Sequence, residues 1–150
     1  MEKRNEKRRI ETELEVKNYL YKLKYAIKSG FATVNFQKVR QVDKNRNIKY
    51  TNRYTISKLF PEEDEVEVLK RELSSLTVEE YIKTVKDLRF PKRSEMRVFS
   101  KQYSGDNVYI KIRVELISSE YAYGKDYILV MSFHFSEWDI NKSDFPYGKG

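Results

Sequence analysis

The chain has 150 residues, of which 35% are Asp, Glu, Lys or Arg, yet 8 Phe, 12 Tyr and several Val/Ile/Leu runs supply material for one core. That balance excludes a disordered or linker-rich protein and fits a single domain over residues 1–150. A formal charge of +7 favours a polyanionic partner, while no Cys and one His exclude a disulfide framework and a thiolate or polyhistidine zinc site.

The charge is localised. Lys3, Arg4, Lys7, Arg8 and Arg9 outnumber Glu2 and Glu6 in a charged N-terminal extension, residues 1–9. Between residues 89 and 113, Arg89, Lys92, Arg93, Arg97, Lys101, Lys111 and Arg113 face only Glu95 and Asp106. Clustered cations of this kind gain by displacing condensed counterions from phosphates. No apolar h-region follows the charged start, and the apolar run 127–131 is far too short for a bilayer. A cytoplasmic protein without a membrane partner is therefore expected.

Val16, Tyr19, Leu20, Leu23, Ala26 and Ile27 recur at three- and four-residue spacing, predicting an amphipathic helix over 10–29 that Gly30 ends. Residues 33–42 and 48–56 read as two short polar strands joined by the loop Asp43 to Asn47, a β-hairpin at 31–56. Pro61 followed by four acidic residues predicts a helix start, with Val66, Leu69 and Leu73 as its apolar stripe. Thr77 and Glu80 have the spacing of a capping box, predicting a further helix to about Leu88. Strands then follow at 95–103, 107–117 and 127–135, joined by a tight Ser104-Gly105-Asp106 turn and by a loop at 118–126. The order predicts an α+β domain, with helices packed on one face of an antiparallel β-sheet. The tail, 137–150, carries Trp138, Phe145, Pro146 and Tyr147 and reads as a surface strap.

If Val108, Ile110, Ile112 and Val114 face the helices, Tyr109, Lys111 and Arg113 face outward. The neighbouring strand offers Arg97, Phe99, Lys101 and Tyr103 at the same alternation, so the expectation is one aromatic and basic surface suited to single-stranded RNA. His134, within Ser132-Phe133-His134-Phe135, adds a group that exchanges protons near neutral pH. A cationic face with one such histidine suits a small metal-free ribonuclease. The plainer reading is a solvated sheet face with a packed histidine, and a Lys83 that pairs with Glu79. The acidic runs 62–65 and 79–80 read as helix starts, and no Gly-rich phosphate loop is present.

Three segments carry a resemblance: Leu76-Thr77-Val78-Glu79-Glu80-Tyr81-Ile82-Lys83, Val108-Tyr109-Ile110-Lys111-Ile112, and Ile128-Leu129-Val130-Met131-Ser132-Phe133-His134. In order and spacing, together with the helix ending at Gly30, they resemble the MqsR-type toxins, relatives of the RelE-like mRNA interferases of bacterial type II toxin–antitoxin systems. The resemblance covers residues 16–30 and 57–136, leaving 31–56 and the tail as additions. It implies a RelE/MqsR-like microbial RNase architecture and a toxin that inhibits translation as a metal-independent mRNA endoribonuclease. Such a toxin needs no cofactor and is neutralised by a cognate antitoxin protein; the ribosome is a further partner it leaves open.

By the same resemblance, Lys83 and Tyr109 fall on a family lysine and tyrosine. His134 stands where the family name-giver has a lysine, and Arg97 stands near a family glutamine. The implied catalytic set is His134, Tyr109, Lys83 and Arg97, with Lys111, Arg113, Lys101, Tyr103 and Phe99 binding RNA. The alternatives are a non-catalytic RNA- or DNA-binding regulator and a protein-interaction module of a phage or mobile element.

Overall fold

The computed structural model describes residues 5–115 and 126–149. These form strands β1 (Glu6–Arg9), β2 (Thr33–Phe36), β3 (Tyr81–Asp87), β4 (Met96–Tyr103), β5 (Asp106–Glu115) and β6 (Tyr127–Phe135). Three α-helices accompany them: α1 (Glu13–Lys28), α2 (Asn52–Leu59) and α3 (Glu65–Ser74). The strands make one open sheet in the order β1-β3-β4-β5-β6-β2, antiparallel except where β2 runs parallel to β6. The class is α+β, as the element pattern predicts. Among the described residues, no helix is long and apolar enough to cross a membrane.

Helix α1 forms where its spacing predicts. Thr12 accepts from Glu15 N, and the Glu15 carboxylate accepts from Thr12 N at 3.0 Å, which closes a capping box. Gly30, at φ +78°, takes the left-handed turn after the helix. Val16, Leu20 and Leu23 bury against Val68, Leu69 and Leu73 of α3 and against Ile110, Ile112, Val130 and Phe133 of the sheet.

Three expectations fail, two of them because a tertiary partner outweighs a local signal. The Thr77–Glu80 box forms, with Thr77 N donating to Glu80 at 2.9 Å, but caps only the single 3-10 turn Val78–Glu80. The chain then extends as β3, since Tyr81-Ile82-Lys83-Thr84-Val85 is aromatic and β-branched and has a strand on each side. The helix predicted at Pro61 starts instead at Glu65, after a turn in which Glu62 takes φ +65°.

The hairpin predicted at 31–56 is absent too. Only Thr33–Phe36 is a strand, Gln41–Asn45 and Ile48–Tyr50 are 3-10 turns, and α2 begins at Asn52 under a Thr51 cap. Helix α2 takes over where β2 stops. Asn52 Nδ2 donates to Met131 O at 2.9 Å and to Gln37 O at 2.8 Å, while its Oδ1 accepts from Phe133 N at 2.9 Å. Thr55 Oγ1 accepts from Phe135 N at 2.9 Å. Side chains thus finish the edge of β6 that backbone leaves open.

The β4–β5–β6 meander is as predicted, although 116–125, with Leu116 and most of the second connection, lies outside the described residues. The tail does strap the domain. Trp138 packs edge-on to Tyr109, and Tyr147 stacks on Tyr81 while its hydroxyl donates to Glu11 O.

Candidate functional site

Register decides which side chains share a face. The two-residue turn Ser104-Gly105, both at positive φ, sets Tyr103 opposite Asp106 and therefore Ser100 opposite Tyr109. The face opposite α1 and α3 thus carries Met96, Val98 and Ser100 from β4, and Tyr109, Lys111 and Arg113 from β5. His134 and Ser132 join from β6, opposite Tyr109 and Lys111, while Lys83 lies across Val98. A bulge at Met131 turns that side chain onto the same face, against a small apolar patch of Val85, Met96 and Val98.

The single merged surface expected from β4 and β5 is not formed. Arg97, Phe99, Lys101 and Tyr103 are one residue out of phase and lie on the helical side. Arg97 Nε donates to Glu11 at 2.7 Å and its guanidinium lies 4.4 Å from the Tyr19 ring centroid. Glu11, only 3% exposed, also accepts from Thr84, whose hydroxyl is 2.7 Å from that of Tyr81. Burial would depress the Arg97 guanidinium, but Glu11 and its neighbours hold it above its ordinary value. Lys101 contacts Ser75 and Glu72, the Tyr103 hydroxyl donates to Glu72 at 2.7 Å, and Phe99 is core.

Tyr109, Lys111, Ser132 and His134 instead line a small cavity of about 170 Å³ with Arg40 and Arg46, which the chain brings over from the 3-10 segment after β2. Glu137 and Trp138 of the tail complete it. The Tyr109 and His134 rings stack with centroids 5.5 Å apart. His134 Nδ1 lies 2.9 Å from Phe135 O, and a carbonyl can only accept, so in the neutral ring the proton sits on Nδ1 and Nε2 carries the lone pair.

The electrostatics follow from burial. It lowers the His134 pKa, aided by Arg46 and Arg40 and opposed by the Phe135 carbonyl and Glu137. It raises that of Tyr109, with Glu6 acting the same way and Arg8 and Arg40 opposing. It lowers that of Lys83, with the charges of Arg8 and Lys111 adding to the effect. Arg40 is held low by burial and then by Arg46. Arg46 pairs with Glu137 at 2.9 Å through Nε, yet its Nη1 is buried without a hydrogen-bond partner among the described residues. Lys111 reaches Glu6 at 3.1 Å, and Arg113 lies 3.5 Å from buried Glu115.

The arrangement therefore offers a neutral imidazole, a protonated phenol and several cations held close together in partly dry surroundings. It can take a proton, return one, and hold an anion between Arg40, Arg46 and Lys111. Arg40, Arg46, Glu137 and Trp138 escape sequence reasoning as site residues; the one signal for the two arginines is the cation-rich stretch Lys38, Arg40, Lys44, Arg46 and Lys49. Among the described residues, no group of three or more His, Cys, Asp or Glu side chains is placed to hold a metal ion. No protein family, curated protein or solved structure matches the chain.

Proposed function

We propose that the chain is a metal-independent endoribonuclease that acts on single-stranded mRNA in the cytoplasm, the toxin of a toxin–antitoxin pair. The observation that carries the reading is the His134–Tyr109 stack inside a cavity walled by Arg40, Arg46 and Lys111. In this reaction the ribose 2′-oxygen attacks the adjacent phosphorus while His134 Nε2 takes its proton. The bond to the 5′-oxygen breaks, leaving a 2′,3′-cyclic phosphate and a 5′-hydroxyl. Tyr109, whose phenol burial keeps protonated, returns a proton to the departing oxygen. Arg40, Arg46 and Lys111 stabilise charge developing on the phosphate, and Lys83 steers the flanking backbone. Arg97 leaves the catalytic set, since the register places it on the helical side of the sheet, away from His134 and Tyr109.

The antitoxin half of the reading rests on the sequence resemblance alone. The outer face of α1, with Leu14, Tyr21 and Tyr25 each about two-thirds or more exposed, offers such a partner an apolar surface. One observation favours a second reading, a non-catalytic RNA-binding protein: His134 is only 2% exposed. The deciding experiment incubates purified protein with a defined RNA in chelator and analyses the ends formed. Cyclic phosphate and 5′-hydroxyl ends that vanish in His134→Ala support the ribonuclease. Tight binding without new ends supports the second reading.

A further inference from the structure

We propose that the cleft between α2 and the start of the tail is a nucleobase subsite, in which the nucleotide next to the scissile phosphate stacks on Trp138. The inference rests on the ribonuclease reading for the identity of that phosphate, and on separate observations for the cleft.

The cleft, about 410 Å³, falls within the roughly 300–1,000 Å³ of small-ligand sites. Four aromatic rings line it: Tyr50 from the 3-10 turn before α2, Tyr54 from α2, Phe135 from the end of β6, and Trp138. Lys49 and Lys58 stand at its walls for a phosphate, and Asp106, Asn107 and Asp139 supply acceptors for exocyclic amino groups of a base. Aromatic faces interleaved with cations are the recognition chemistry of single-stranded nucleic acid.

Its position is the second argument. Trp138 lines both this cleft and the His134–Tyr109 cavity, and meets Tyr109 edge-on with ring centroids 5.4 Å apart. A strand whose phosphate sits among Arg40, Arg46 and Lys111 has its next base at Trp138.

The platform is set before any ligand arrives. Ser136 Oγ donates to Trp138 O at 2.7 Å and accepts from Trp138 N at 3.4 Å, and the Arg46–Glu137 pair anchors the residue before it. Trp138 is 54% exposed, so a ring face stays open to a base.

Trp138 is the only tryptophan in the chain, so its emission reports the site directly. The test titrates the protein with a 2′-O-methyl hexanucleotide, which cannot be cleaved, and follows both indole emission and anisotropy of a 5′-labelled copy. The expected result is a saturable change in emission with the same midpoint as the anisotropy. Base–aromatic stacking is worth roughly 5- to 150-fold in affinity, so Tyr50→Leu should weaken binding by a factor in that range and Lys58→Gln by a smaller one. Thermal melts of both variants confirm the fold.

Anisotropy that saturates without a change in emission overturns the subsite. So does an unchanged Kd in a folded Tyr50→Leu, or no binding at all. An intact emission change in a protein that cleaves no RNA sinks the ribonuclease and leaves the subsite standing.

Discussion

Tyr109 and His134 sit directly opposite each other across the β5–β6 ladder, their ring planes only 28° apart. Cross-strand aromatic pairs stabilise sheets, but a packing pair does not need the phenol oxygen. Tyr109→Phe therefore separates packing from chemistry. Under the ribonuclease reading, single-turnover cleavage should fall about 100-fold or more while the melting temperature and RNA affinity hold. His134→Gln should remove cleavage altogether. A fully active Tyr109→Phe would reduce Tyr109 to a packing ring and pass the proton-donor role to Lys83, whose pKa burial already lowers.

The buried imidazole makes a pH prediction with a definite sign. Its pKa lies below its ordinary value in the folded chain, because burial and the charges of Arg46 and Arg40 outweigh Phe135 O and Glu137. Between that lowered value and about 6.5 the unfolded chain binds a proton that the folded chain refuses, so stability falls as pH falls through this window. Urea midpoints measured from pH 8 down to pH 5 should decline in wild type and decline less in His134→Gln. Under the ribonuclease reading, in which the unprotonated ring is the base, cleavage should rise with pH through an apparent pKa below the ordinary value. A midpoint slope identical in the two proteins would mean that His134 titrates as in water.

Sorting cations by face separates binders from girders. Arg40→Ala should weaken RNA binding and lower the slope of log K against log salt by about one unit, with little change in stability. Lys101→Ala, on the helical side beside Glu72, should leave RNA affinity unchanged. Arg97→Ala leaves the buried Glu11 carboxylate with only Thr84 and the more distant Arg9 and should destabilise the fold by about 2–4 kcal/mol. Denaturant titration and salt-dependent binding on the three variants check the assignment. Equal losses of affinity in Arg40→Ala and Lys101→Ala would overturn the register argument.

What the sequence discloses follows the range of the forces involved. Helix α1 and the β4–β5–β6 meander are legible because periodic apolar residues such as Val108, Ile110, Ile112 and Val114 bury on one side. Strand β1 is not, since Glu6-Lys7-Arg8-Arg9 holds no apolar residue and extends only because β3 supplies hydrogen-bond partners. Strand β3 hides behind a capping box that is real but one turn long.

The candidate site divides in the same way. His134, Tyr109, Lys111 and Lys83 are readable as strand residues on one face. Arg97 and Lys101 are misread because the Ser104-Gly105 turn sets the β4–β5 register one residue away from the pairing that alternation alone suggests. Arg40 and Arg46 arrive only by tertiary folding of a segment without periodicity.

The device that delivers those arginines also carries the most informative stability test. Asn52, 1% exposed, uses its whole amide to pair Met131 O, Gln37 O and Phe133 N. Asn52→Leu keeps the branching and number of side-chain heavy atoms but leaves one backbone donor and two acceptors unmatched, so stability should fall by about 2–4 kcal/mol. The loss should concentrate at the β6 edge: the Phe133 amide should exchange slowly in wild type and far faster in the variant. Phe133 immediately precedes His134, and Gln37 leads into the Arg40 segment, so cleavage should fall together with protection. Stability within 0.5 kcal/mol of wild type would show that water replaces the amide, and that α2 only covers the edge of β6.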